Sequence, residues 1–235
     1  MKESDDHLEQ KFPSIQSKDL SVGYSFHQPV LVNLNIAWNE PGIHLIIGRN
    51  GAGKSTLIRT LAGLQKPISG QVQWGTIRVD QLQSRERARW ISFVESAPPR
   101  SSEMRVHEAL KLVTNKIEHI QQWLERFGSM DWWNVPLVAL SDGQLQKVML
   151  IRAILQDTPW ILMDEPTAFL DVPSRIEMWK IIEDLVDEGK GILLTSHDFH
   201  LVSNHSKLRS VMAAKNRVLH SLAPSDGADS WLLEL

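Results

Sequence analysis

The chain has 235 residues, 42% of them hydrophobic and 23% charged, and 25 Lys and Arg against 28 Asp and Glu give a formal charge of −3. That balance excludes a disordered chain and suits a globular domain with room for a small inserted lobe. The lack of cysteine removes disulfides, thiolate metal sites and cysteine nucleophiles, and the near-neutral charge leaves no footprint for nucleic acid.

In chain order, residues 1–17 read as a polar lead-in whose acidic start is unlike a secretory signal. Apolar stretches over 20–38, with Leu34, Ile36 and Trp38 at period two, predict antiparallel strands. Residues 43–47 are nearly all apolar, the pattern of a strand buried on both faces of a parallel sheet. A glycine-rich loop follows, then a helix over 55–62 with Gly63 as its stop. Strands are expected at 71–74, 76–79 and 90–94, with a short polar helix at 85–88 whose arginines read as a solvated face.

Texture changes at Ser96. A loop runs through Pro98 and Pro99, residues 106–127 are helical in pattern, and Trp132, Trp133 and Pro136 close a mostly helical insertion of about 96–140. Alternation then resumes with a helix at 141–155, a strand at 160–163, a helix at 173–186 and a strand at 192–195. Strands alternating with helices predict an α/β fold with a parallel sheet. Most of the nine tryptophans fall at apolar positions and are expected in the core, while Trp132 and Trp133 are candidates for a partner-binding groove in the insertion. No apolar run approaches the roughly 18 residues needed to span a bilayer.

The strongest chemical signal is Gly48-Arg49-Asn50-Gly51-Ala52-Gly53-Lys54-Ser55-Thr56, which fits the phosphate-loop pattern between a buried strand and a helix. Glycines let the backbone wrap phosphates, with amide hydrogens and a helix N-terminus facing the anion. Lys54 can reach the β- and γ-phosphates, and the Ser55 hydroxyl can ligate magnesium. Further on, Ile161-Leu162-Met163-Asp164-Glu165 reads as a buried strand presenting Asp164 to the magnesium shell, with Glu165 placed to polarise an attacking water. Leu140-Ser141-Asp142-Gly143-Gln144 contains a capping box, Ser141 with Gln144, that opens the next helix. His197 and His200 stand three apart, but no third ligand is evident, so no metal pair is read there.

Together the phosphate loop, the Ser141–Gln144 run and the Asp164-Glu165 strand end resemble the ATP-binding subunits of ABC transporters, over roughly residues 20–222. The resemblance implies a P-loop NTPase fold with a mostly parallel core sheet, an antiparallel side sheet and a helical lobe, all in one domain over 1–235. It implies ATP and Mg2+ as cofactors, with ATP held by Gly48, Asn50, Gly51, Ala52, Gly53, Lys54, Ser55 and Thr56. In a head-to-tail dimer with a second copy, the signature residues Ser141, Gly143 and Gln144 and the loop aspartate Asp171 face the partner's nucleotide. Here the signature departs from the family's leucine-serine-glycine-glycine-glutamine at Asp142, which is expected to turn outward. His197 takes the place of the switch histidine beside Glu165, and Lys54 acts with them in catalysis. Glu95 stands where the family carries a magnesium-touching glutamine, so the expected metal set is Ser55, Asp164 and Glu95. Tyr24, the only tyrosine, lies where the family stacks an aromatic on adenine.

The resemblance further implies transmembrane permease subunits docked on the helical lobe, an indirect link to a substrate-binding protein, and a peripheral location on the inner membrane's cytoplasmic face. Residues 157–171 and 147–149 look like subunits of iron-siderophore, haem or vitamin B12 importers. Two alternatives stay open. One is a soluble, non-transport ABC ATPase such as one in iron–sulfur cluster assembly. The other, a P-loop small-molecule kinase, conflicts with the signature run and His197.

Overall fold

The computed structural model describes residues 12–25, 27–97, 103–197 and 206–224. Its central sheet has six strands in the order β10-β9-β3-β8-β7-β6. These are β3 (Gly42–Gly48), β6 (Ile91–Val94), β7 (Trp160–Asp164), β8 (Gly191–Ser196), β9 (Leu208–Lys215) and β10 (Val218–Leu222). All neighbours are parallel except the β9–β10 hairpin. A second, fully antiparallel sheet runs β2-β1-β4-β5, from β1 (Ile15–Ser25), β2 (Gln28–Trp38), β4 (Ser69–Trp74) and β5 (Ile77–Arg78). The helices are α1 (Lys54–Leu61), α2 (Ser84–Arg87), α3 (Val106–Lys111), α4 (Ile117–Arg126), α5 (Asp142–Leu155) and α6 (Val172–Asp187).

Period-two alternation decides which core each strand residue joins. Leu45, Ile47, Ile161, Met163, Ile192 and Leu194 point to the face covered by α3 to α6. Ile46, Leu162 and Leu193 point to the opposite face, against Leu57 and Leu61 of α1 and Trp74 of the side sheet. Each such aliphatic side chain contributes about 1.5–3 kcal/mol on burial. Because both faces are covered, every residue of β3 is buried, as its apolar run anticipates.

His44 is the polar exception on β3. It lies between Trp38 and Trp160, with Nδ1 2.9 Å from the Ser210 hydroxyl and Nε2 3.2 Å from the Glu40 carbonyl. Trp38 Nε1 donates to the same hydroxyl at 3.0 Å, so Ser210 passes its own hydrogen to Nδ1, and Nε2–H donates to Glu40. Burial, the largest cause, lowers the His44 pKa to about 4.

Two parts of the sequence reading need correction. The helical pattern over 106–127 splits into α3 and α4, because Thr114 and Asn115 are poor helix formers and the Thr114 hydroxyl accepts the Lys116 amide at 3.2 Å. The β9–β10 hairpin is absent from the sequence reading. Its turn residues Asn216 and Arg217 both have positive φ, 51° and 68°, and without a glycine the two-residue turn is hard to see. Trp132 and Trp133 pack half-buried against the lobe's own core, with Trp133 stacked on His107 at 5.2 Å. Of the remaining tryptophans, Trp38, Trp74, Trp160 and Trp179 are buried as expected.

The carboxyl ends of β3, β6, β7 and β8 lie along one edge of the sheet, where an open α/β sheet places its ligands.

Candidate functional site

A cavity of about 410 Å³ opens at that edge, lined by Tyr24, Val30, residues 50–56, Ser96, Ala97, Glu165, Ala168, Phe169 and His197. Its floor is the loop between β3 and α1. Gly53 takes φ 97° as the residue capping α1, and a Cβ there would lie 2.7 Å from Val30, so only glycine fits both the turn and the packing. The loop thereby turns α1 end-on toward the cavity and presents backbone amides and a positive dipole end to it. Lys54 folds back over the loop, donating to the Gly48 carbonyl at 2.8 Å and the Arg49 carbonyl at 3.4 Å.

Two carboxylates end β7 and have different environments. Asp164 is fully buried, and among the described residues its oxygens accept three hydroxyls: Ser55 at 3.0 Å, Thr195 at 2.7 Å and Ser96 at 3.3 Å. Glu165 has φ 48°, a left-handed conformation unusual for a glutamate and held here by its surroundings. Its amide donates to Thr195 Oγ1 at 3.0 Å. Its Oε1 pairs with Lys54 Nζ at 3.1 Å, and its Oε2 meets the His197 ring Nδ1 at 2.6 Å and the His197 amide at 3.2 Å.

The oxygen donors Ser55, Asp164 and Ser96 fit a hard divalent cation such as Mg2+, which binds through one or two carboxylates and completes its shell with phosphate and water. Among the described residues no group of three or more His, Asp or Glu is placed to hold a metal ion. His200 lies outside the described residues.

Tyr24 is 80% exposed at the cavity mouth, with the Thr56 hydroxyl donating to its OH at 3.4 Å. A core role for this ring is thereby removed. The position expected for Glu95 needs correction. Past the end of β6 the two neighbours diverge: Ser96 lines the cavity, while Glu95 lines a separate groove with Arg87, Leu112, Met149 and Arg152. Ser96, not Glu95, therefore meets Asp164. Thr195 is the second site residue the sequence reading misses. It is fully buried opposite Asp164 in the β7–β8 register and ties both carboxylates in place.

The other expected site residues stand apart. Ser141, Gly143, Gln144 and Asp171 do not line the cavity. Ser141 caps α5, its hydroxyl accepting the Gln144 amide at 3.2 Å while Gln144 Oε1 accepts the Ser141 amide at 2.8 Å. Gly143 has no room for a Cβ, which would lie 2.8 Å from the Phe169 carbonyl. Asp142 is exposed, as expected. Asp171 caps α6 by accepting the Ser174 amide at 3.0 Å, and hydrogen bonding from the Ser174 side chain, then from its amide, holds the Asp171 carboxyl below the usual range.

A family model described as "ABC transporter" matches residues 31–168. The zinc import ATP-binding protein ZnuC of Pseudomonas aeruginosa is 36% identical over 184 residues, covering 77% of this chain and 65% of that protein. The iron(3+)-hydroxamate import ATP-binding protein FhuC of Bacillus subtilis is 27% identical over 206 residues, covering 82% and 76%. A solved structure described as the ATP-binding subunit of an ABC transporter superposes with a TM-score of 0.83 at 25% identity, covering 94% of this chain and 98% of that one.

Proposed function

The chain belongs to the ABC transporter family of ATP-binding subunits, and from that premise we propose that it hydrolyses ATP to power import of a metal ion or metal chelate. The supporting observation is that Lys54, Asp164, Glu165 and His197 converge on one cavity floored by a phosphate loop. In this reading residues 50–56 hold the ATP phosphates, and the Tyr24 ring stacks on the base. Ser55 and Asp164, with Ser96, would hold Mg2+, which neutralises phosphate charge when bound.

Glu165 accepts a proton from water as the water oxygen bonds the γ-phosphorus, and the bond to the bridging oxygen breaks to leave ADP. His197 keeps the Glu165 carboxylate oriented through the 2.6 Å contact. Lys54 leaves Glu165 for the phosphates, which frees the carboxylate for the water.

The rest of the reading concerns assembly. Ser141, Gly143, Gln144 and Asp171 complete a second copy's cavity in a head-to-tail dimer. The whole chain acts as one ATPase domain at the cytoplasmic face of the membrane. No helix among the described residues is long and apolar enough to cross a bilayer, which accords with separate permease subunits. The imported cargo named for FhuC and ZnuC supports the metal or metal-chelate class.

The test is ATP hydrolysis by the purified chain with Mg2+. Glu165→Gln should keep ATP binding and lose about 10²–10⁴ in turnover, the range for a positioned general base. Undiminished turnover would remove Glu165 from that role. Co-purification of a permease from membranes, followed by uptake of iron chelates or zinc, tests the transport reading.

A further inference from the structure

The mechanism so far leaves Gln146 without a task, although its setting is costly for an amide. It is 2% exposed on α5, one turn beyond the cap at Ser141. Its Nε2 donates to the Glu95 carbonyl at 3.3 Å. Its Oε1 is buried and, among the described residues, has no hydrogen-bond partner. An apolar side chain of the same shape would fill this position without the unmet acceptor, so what the amide adds here is its one bond. That bond lands on the residue preceding Ser96, whose hydroxyl in turn meets Asp164. Gln146 also borders Val94 at the end of β6, and Pro166 and Leu170 in the loop after Glu165. It therefore sits where α5, the β6 exit and the β7 exit meet.

We infer that Gln146 is a positioning residue that ties α5 to the Glu95–Ser96 backbone and thereby holds Ser96 against Asp164. Movement of α5, whose N-terminus carries Ser141 and Gly143, is transmitted through this tie to the carboxylate that would hold the metal. The short Ser96 side chain makes the backbone tie necessary. A serine hydroxyl has one rotatable bond and cannot follow a displaced carboxylate, so its backbone must be held within reach of Asp164. The inference rests on the proposed ATPase site, but its first readout needs neither nucleotide nor metal.

That readout is hydrogen exchange on the purified chain without ligand. Gln146→Met keeps shape and removes both polar atoms of the amide. Exchange in the peptide spanning residues 91–97 should rise at least about tenfold, while β3 and β8 peptides and the melting temperature stay unchanged. With MgATP, Gln146→Met and Ser96→Ala should each lower kcat by about tenfold, the low end for residues supporting a metal ligand, with KM for ATP within about twofold. Residues acting in series give a double variant no worse than either single one. Unchanged exchange at 91–97, or kcat losses that multiply, would overturn the inference. If Gln146→Met does not fold, Gln146→Asn carries the same readouts, since its amide stops one methylene short of the Glu95 carbonyl. A wild-type chain without ATPase activity would instead overturn the proposed function, leaving the exchange result to judge the tie.

Discussion

The two functional halves of this molecule are built on opposite terms. The phosphate-loop half closes on itself: Lys54, Glu165, His197, Asp164, Ser55 and Thr195 satisfy one another's charges and hydrogen bonds around a cavity. The other half, Ser141 to Gln144 with Asp171, satisfies its polar groups as helix caps and does not line that cavity. An exposed helix N-terminus still presents a positive dipole end to an anion brought to it. In the proposed reading, one half is finished by folding and the other by association with a second copy.

Perturbations of decreasing expected size separate the two halves from the sheet that carries them. The largest acts on the sheet beneath both halves. His44 has a folded pKa of about 4 against an ordinary 6.5, so the unfolded chain takes up the proton first as pH falls. Its stabilisation is therefore complete above about pH 6.5 and is lost progressively toward pH 4, by about 3 kcal/mol at most. Urea midpoints between pH 7.5 and 4.5 should show the loss, and His44→Gln should flatten it. If wild type and His44→Gln lose stability in parallel, the acid sensitivity belongs to other groups.

Next in size, Tyr24→Ala should weaken ATP binding by about 1–3 kcal/mol, the range for base–aromatic stacking, measurable by calorimetry. Because the ring is 80% exposed, the melting temperature should not move. Equal affinity with a lowered melting point would return Tyr24 to a structural role. The smallest effect is expected at Ser141→Ala, which removes a helix cap worth about 1 kcal/mol and so lowers the melting temperature by about 2–4 °C. ATP affinity of the isolated chain should stay constant while turnover at high protein concentration falls. A change in monomer affinity would place Ser141 in its own chain's site.

The first half was the more legible in sequence, for a physical reason. A phosphate loop must be contiguous, because consecutive amides wrap one anion, so Gly48 to Thr56 carries its own signature. Asp164 and Glu165 likewise follow from an apolar run ending in acid. Thr195 was invisible, since a threonine inside an apolar strand reads as ordinary β-propensity until the register sets it opposite Asp164. Ser96 was hidden behind Glu95 by a one-residue phase. Past the end of β6 nothing in the sequence fixes which of two neighbours faces the cavity, and the charged one drew the assignment. The α/β alternation was read correctly through β8, whereas β9 and β10 escaped because their turn has no glycine. Gln146 lies in plain view after the signature run, but only burial reveals that its amide is tied to a backbone carbonyl.

The central claim, that each finished cavity needs the other half from a second copy, is tested most directly by mixing two inactive chains. Lys54→Ala removes the phosphate-binding lysine but leaves the signature half intact, and Ser141→Arg does the reverse. Random pairing in a two-fold dimer puts half the molecules in mixed pairs, each with one complete cavity, so about a quarter of wild-type ATPase activity should return. Recovery on mixing supports completion in trans. If the mixture stays inactive while both variants still dimerise and Ser141→Arg still binds ATP, the two halves do not complete each other across chains.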